Sequence, residues 1–398
     1  MVSTKPSSSC PLAARLAKQP CLILDGAMAT SLKKLGISEV DTWNAPALLH
    51  QPHVRKSVKK VHMDFLESGV DILSANTYAA DYGITEGGVD ENFKRTQWVF
   101  DNLDLAKETI DEFVKSQKTL FGNEVQRPLL VMPIASFASG IIGRASTANR
   151  QQKDQDDYHR CEGYGFPASD IRSYFEGRLN DDVLRYAGKT GVAMLAFETI
   201  GDLLEVEIIC TMLEEKAGVL EEAGLSAWIA LTCGTADSVD TGDSIASCVE
   251  KMAKCPHVTC VGVNCTEPHL ITPIVGTMKN VLKECGAEDK LIVVYPNSGE
   301  TYISRELMAG ETDHWVMTSA CQDWNLVDAA MGWVDSGVNI VGGCCRIDAA
   351  SIAGLVEGIR NHEIIARPEA KKLGRPSTKE KKGKKKTGPP TRSSKARR

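Results

Sequence analysis

What the 398-residue chain lacks narrows its class first. No apolar stretch reaches the length of a membrane-spanning helix, about 18 residues or more, so a membrane protein is not expected. Residues 1–20 hold serines and a few lysines but no apolar segment before a small-residue cleavage site, which argues against a secretory signal. No GxGxxG follows a strand-like run, and GxxxxGK[ST] is absent. The phosphate-cradling loops of nucleotide-binding open sheets are therefore missing.

Cysteine, by contrast, is plentiful: 13 residues, an odd number in a long chain. Free or metal-bound thiols in a reducing, cytoplasmic setting fit better than a disulfide framework. Charge is unevenly spread. Residues 366–398 carry 14 Lys and Arg against Glu369 and Glu380, a balance of +12, so a net charge of -6 leaves -18 on the rest. An acidic body argues against nucleic acid as the substrate of the main domain. The tail, rich in Lys and Pro and poor in apolar residues, is read as disordered. Contact with nucleic acid or nuclear import through it is the secondary reading.

Eight strand-like runs alternate with helical patterns: 21–27, 70–78, 129–136, 192–199, 227–233, 260–265, 291–297 and 338–345. Several are continuously apolar, as in LLVMPI, VAMLAF and LIVVY, which marks strands buried on both faces of a parallel sheet. Helical spacing covers 54–68, 96–115, 202–216, 243–252, 269–283, 325–336 and 349–360. The pattern predicts a (β/α)8 TIM barrel over 21–365, after an N-terminal extension of 1–20 and before the disordered basic tail of 366–398. A polar insertion, 140–165, interrupts it and is long enough to be a lid. Asp25, Asn76, Thr77, Tyr78, Glu198, Thr199, Cys265, Asn297, Cys344 and Cys345 all end candidate strands, where a barrel gathers its active site.

The sharpest local feature is Gly342-Gly343-Cys344-Cys345. Neighbours on a strand point to opposite sides, so both thiols face one ligand only if the backbone kinks, and the glycines are expected to allow that. A third thiolate would complete a zinc site with an open fourth position. Cys265, ending the sixth strand, is the candidate. The remaining ten cysteines, Cys321 among them, read as small buried hydrophobes, with Cys233, which also ends a strand, and Cys21 the nearest competitors.

These segments make the sequence similar to the homocysteine S-methyltransferase family. The matching runs are ILDGAMATSLKKLG (23–36), GVDILSANTY (69–78), LAFETI (195–200), GVNCT (262–266), VVYPNSGETY (293–302) and IVGGCCR (340–346). The resemblance implies a barrel in which Cys265, Cys344 and Cys345 bind catalytic Zn2+. Homocysteine would occupy the open position as a thiolate and take a methyl group from a small sulfonium donor, S-methylmethionine or S-adenosylmethionine, giving methionine. It also implies that Asp25 and Glu198 fix the amino-acid end of homocysteine. Trp43 and Tyr78 would stand near the donor, with Thr77, Asn264, Asn297, Ser298 and Glu300 as further substrate-binding residues.

Two departures leave the donor open: Ala27 follows Gly26 where the family commonly has a second glycine, and 134–140 lacks the usual Gly-Ser turn. Betaine as donor and selenocysteine or another small thiol as acceptor stay as alternatives. So does a non-enzymatic zinc-binding regulator acting through its tail. Oligomeric state is not legible.

Overall fold

A computed structural model describes residues 10–38, 42, 45–78, 90–121, 126–139, 166–303 and 314–366. Trp43, the insertion 140–165 and the tail from 367 onward lie outside the described residues. Eight parallel strands form the central sheet: β1 (Leu22–Ile23), β2 (Ile72–Ser74), β3 (Leu129–Ala135), β4 (Val192–Ile200), β5 (Ala227–Leu231), β6 (Val258–Asn264), β7 (Leu291–Tyr295) and β10 (Ile340–Val341). Their order is β1-β10-β7-β6-β5-β4-β3-β2. A parallel bridge from Leu24 to Ile72 then joins the two outermost strands, so the sheet curls into a barrel.

The period of two in the apolar runs separates two cores. Leu22, Leu24, Ile72, Val131, Met194, Ala196, Trp228, Ala230, Cys260, Val293, Tyr295 and Ile340 fill the barrel interior. Their strand neighbours, such as Ile23, Leu195, Phe197, Ile229, Val261 and Val294, face the surrounding helices. The helix Pro11–Leu16 belongs to the same unit, because Leu12 is fully buried in the interior cluster. It plugs the barrel beside the strand beginnings and leaves the other end for chemistry.

Helix boundaries follow local chemistry. The side chain of Asp202 accepts from the backbone N–H of Leu204 and Glu205 and so starts Leu203–Glu215, while Asn180 caps Asp181–Thr190 through Val183. Pro52 opens Pro52–Ser68, which stops at Gly69 in the left-handed region.

All eight expected strands are present, but the first and last are shorter than 21–27 and 338–345 suggest. Past Leu24 the chain leaves the ladder to meet the opposite loop, where Ala27 N donates to Ile347 O and Gly343 N donates to Asp25 O. The sequence reading also passed over an antiparallel hairpin, β8 (Glu300–Ile303) with β9 (His314–Met317), and the paired helices Ala168–Arg178 and Asp181–Thr190. No helix among the described residues is long and apolar enough to cross a membrane.

Candidate active site

At the C-terminal end of the barrel the two-residue period delivers polar side chains in place of the apolar layers below. Ser74 follows Ile72, Glu198 follows Ala196, and Asn264 stands four residues beyond Cys260. Tyr295 closes the layer from β7 and is buried.

Three half-buried sulfurs meet there, those of Cys265, Cys344 and Cys345, all within 4.8 Å of one another. Cys265 and Cys344 are joined as a disulfide with Cα atoms 5.5 Å apart, and Cys345 Sγ lies 3.9 Å from Cys265 Sγ. Opened by reduction, the pair adds two sulfur donors to that of Cys345. A convergent all-sulfur set of three, with a side left for a fourth ligand, suits a soft or borderline metal ion. Burial pushes the Cys345 thiol above its ordinary pKa. A neighbouring cation would reverse that shift, since a coordinating thiol gives up its proton.

The expected kink at the glycines takes another form. Neither Gly342 nor Gly343 adopts a positive φ; Cys265 (φ 47°), and Arg346 (φ 66°) next to the cysteine pair, do. The glycines are required by close approach. A Cβ at Gly342 would lie 2.7 Å from Leu24 Cβ, and one at Gly343 would lie 2.2 Å from Ile347 Cγ2. The chain has already left β10 by this point, so Cys344 and Cys345 are not bound to alternate faces as strand neighbours would be.

Backbone bonds lock the sulfur-bearing segments to the turn after β7. Cys265 N donates to Tyr295 O, Cys344 N to Pro296 O, Ser298 N to Cys345 O, and Asn297 N to Thr266 O. Asn297 Oδ1 accepts from Gly299 N at 2.9 Å, which shapes the turn itself. Glu300 stands beside it, accepting from Ser298 Oγ at 2.7 Å and from two nitrogens of Arg346. Burial raises the Glu300 pKa, but the bonds from Arg346 and Ser298 outweigh it and hold the carboxylate below its ordinary value.

Two carboxylates face the interior near the sulfurs. Asp25 is buried and accepts from Ser74 N at 2.7 Å and Ser74 Oγ at 2.8 Å. It does not cap the following helix, whose N-cap is Ala27. Desolvation lifts its pKa to about 7 despite the two Ser74 bonds. Glu198 accepts from Tyr295 OH at 3.2 Å, and burial followed by the charge of Asp25 lifts it to about 8. Two carboxyls held this high near neutrality form a site that gains from an incoming cation.

The other expected residues fall into a supporting network. Asn264 is buried, with Oδ1 accepting from Thr199 N at 2.8 Å and Nδ2 donating to Thr199 Oγ1 at 3.0 Å. Tyr78 OH reaches Ser139 Oγ at 3.0 Å and Thr199 Oγ1 at 3.2 Å, and Thr77 Oγ1 donates to Pro133 O at 2.8 Å. Thr199 was noted from the sequence only as a polar strand end, and Ser74, Tyr295 and Arg346 were given no site role there, although Tyr295 is the polar-tipped end of LIVVY.

With the geometry in place, comparison with known proteins is decisive on the family. The family model described as homocysteine S-methyltransferase matches residues 22–359. The chain belongs to the homocysteine S-methyltransferase family, and it is thereby a methyltransferase. Among similar proteins, homocysteine S-methyltransferase 4 of Zea mays is 28% identical over 345 residues, covering 86% of this chain and 90% of the relative. A selenocysteine methyltransferase of Astragalus bisulcatus is also 28% identical, over 339 residues, with 84% and 90% covered. The metallated crystal form of the homocysteine methyltransferase MmuM from Escherichia coli shares the fold at TM-score 0.61 and 20% identity, covering 87% of this chain and 98% of that one. An oxidized form of the same protein matches at TM-score 0.64.

Proposed function

We propose that the chain moves a methyl group from a small sulfonium, S-methylmethionine or S-adenosylmethionine, to the sulfur of homocysteine, with zinc on Cys265, Cys344 and Cys345. The convergence of those three sulfurs within 4.8 Å at the barrel mouth carries the reading. Zinc, when bound, would supply the charge that keeps the acceptor thiol deprotonated. The acceptor sulfur then attacks the methyl carbon as the carbon–sulfonium bond breaks, and its electron pair leaves with a neutral sulfide. Because that leaving group is good, the protein mainly orients the two partners.

Glu198, held by Tyr295 OH, stands ready to pair with the ammonium group of homocysteine. Asp25, fixed by Ser74, adds negative potential beside it. Tyr78 offers an aromatic face and Glu300 a carboxylate toward a cationic donor. The similarity to a selenocysteine methyltransferase favours a second acceptor, the selenol, which uses the same site without further machinery.

The test uses the full chain, reduced by a dithiol so that the Cys265–Cys344 pair is open, with zinc, homocysteine or selenocysteine, and labelled S-methylmethionine. Labelled methionine or Se-methylselenocysteine should form, and Cys265→Ser should lose the zinc of the three-cysteine cluster and turnover together. Full metal content in Cys265→Ser would refute the ligand assignment. Transfer from betaine but from neither sulfonium would refute the donor.

A further inference from the structure

Cys321 reads from the sequence as a small buried hydrophobe, yet the fold brings it to His269 beside Glu267. Glu267 precedes the helix Pro268–Glu284, whose second residue is His269, and Cys321 ends the short 3-10 turn Ser319–Cys321 that follows β9. His269 Nδ1 lies 3.2 Å from Glu267 Oε2 and 3.8 Å from Cys321 Sγ, and all three ligand atoms fall within 4.8 Å of one another. The geometry points to a second divalent-metal site, separate from the three-cysteine cluster, formed by Glu267, His269 and Cys321.

The donor chemistry narrows the ion. One imidazole nitrogen, one thiolate and one carboxylate oxygen make a borderline set suited to zinc or cobalt(II), whereas magnesium and calcium prefer oxygen alone. The spacing agrees as well. Metal bonds of about 2.0–2.3 Å in a tetrahedron hold ligand atoms roughly 3.3–3.7 Å apart. The two separations from His269 Nδ1 bracket that range, and the third pair, Glu267 and Cys321, lies within 4.8 Å. The thiol side is buried, with Cys321 at 1% exposure, while His269 and Glu267 keep 40% and 35% of their side chains in solvent. A water can therefore complete the fourth position.

The location gives such an ion a task. Glu267 lies two residues beyond Cys265, and Cys321 packs against Gly299 in the turn that carries Ser298 and Glu300. An ion here cross-links the segment after β6 to the segment after the hairpin, so it braces the donor side of the mouth without touching the reacting sulfurs.

Zinc bound per chain, measured after dialysis of the reduced full-length protein, tests the site. Two equivalents are expected in the wild type and one in His269→Ala, with at least a tenfold weaker affinity for the second. In a Cys265→Ser background one equivalent should persist and vanish when His269→Ala is added. That outcome would stand even if the three-cysteine reading failed. Cobalt(II) added to Cys265→Ser should give a thiolate-to-metal absorption band that Cys321→Ser removes. Equal zinc content in wild type and His269→Ala, or a cobalt band unchanged by Cys321→Ser, would reduce the cluster to a Glu–His ion pair with a nearby thiol and overturn the proposal.

Discussion

Asn264 holds Thr199 by two hydrogen bonds, accepting from its backbone N–H at 2.8 Å and donating to its hydroxyl at 3.0 Å. Thr199 needs that hold, because its φ of 62° is unfavourable for a β-branched residue. The strained peptide lies next to Glu198, so Asn264 positions the carboxylate from β6, two strands away. Asn264→Ala leaves a buried N–H unpaired and is expected to cost about 1–3 kcal/mol in urea unfolding. The KM for homocysteine should rise more than kcat falls. An unchanged KM alongside the lost stability would confine Asn264 to folding.

How much of this could be read beforehand depends on whether the determining contacts are local. The runs LLVMPI, VAMLAF and LIVVY announce strands buried on both faces, and Cys344-Cys345 after two glycines announces a site. The reason for those glycines was not readable, since it rests on Leu24 and Ile347, which are brought close only by barrel closure. The hairpin escaped notice because ETYI and HWVM are four residues each and neither alternates clearly. His269 and Cys321 are 52 positions apart, so no spacing rule joins them. Arg346 meets Glu300 across 46 positions for the same reason.

That Arg346–Glu300 pair supports a second prediction. Arg346 is left-handed and donates two bonds to Glu300, which also accepts from Ser298 in the turn tied to Cys345 O. Arg346→Gln and Glu300→Gln should each raise the KM for the sulfonium donor while leaving that for homocysteine nearly constant. The double variant should lose less than the sum, with a coupling of about 0.5–3 kcal/mol. Strict additivity in a double-mutant cycle on kcat/KM would show that the pair does not act as a unit.

The basic tail offers a cleaner separation of hypotheses. The described structure runs to Ala366, in the helix Ala349–Ala366 that packs against the barrel through Ile352, Leu355 and Ile359. Removing residues 367–398 takes away the strongly basic part of the sequence but none of the candidate site. Turnover of the truncated chain should stay within about twofold of the full length, because the cut spares the candidate site. A larger loss would assign the tail a direct part in catalysis. Retained turnover combined with lost binding to nucleic acid would favour a separate role for it.

The two raised carboxyls set a pH dependence whose sign is fixed. Asp25 moves from its ordinary 3.8 to about 7 and Glu198 from 4.5 to about 8, in both cases chiefly through burial. Between about pH 4 and pH 8 the folded chain therefore keeps protons that the unfolded chain has released. Stability falls as pH rises wherever the folded state binds more protons. The unliganded protein should thus lose stability progressively across that window, and Asp25→Asn should flatten the slope twice over. It removes one proton site and relieves the charge that helps to raise Glu198. Homocysteine works in the opposite direction, because an ammonium beside Glu198 favours the ionised carboxylate. Its binding below about pH 8 should release protons, seen as a calorimetric enthalpy that varies with the ionisation heat of the buffer. Glu198→Gln should reduce that variation to the part contributed by the acceptor thiol, which gives up its proton on zinc. If the buffer dependence were undiminished in Glu198→Gln, the released proton would come from the acceptor thiol, Asp25 or the cysteine cluster, and Glu198 would not be the partner of the ammonium.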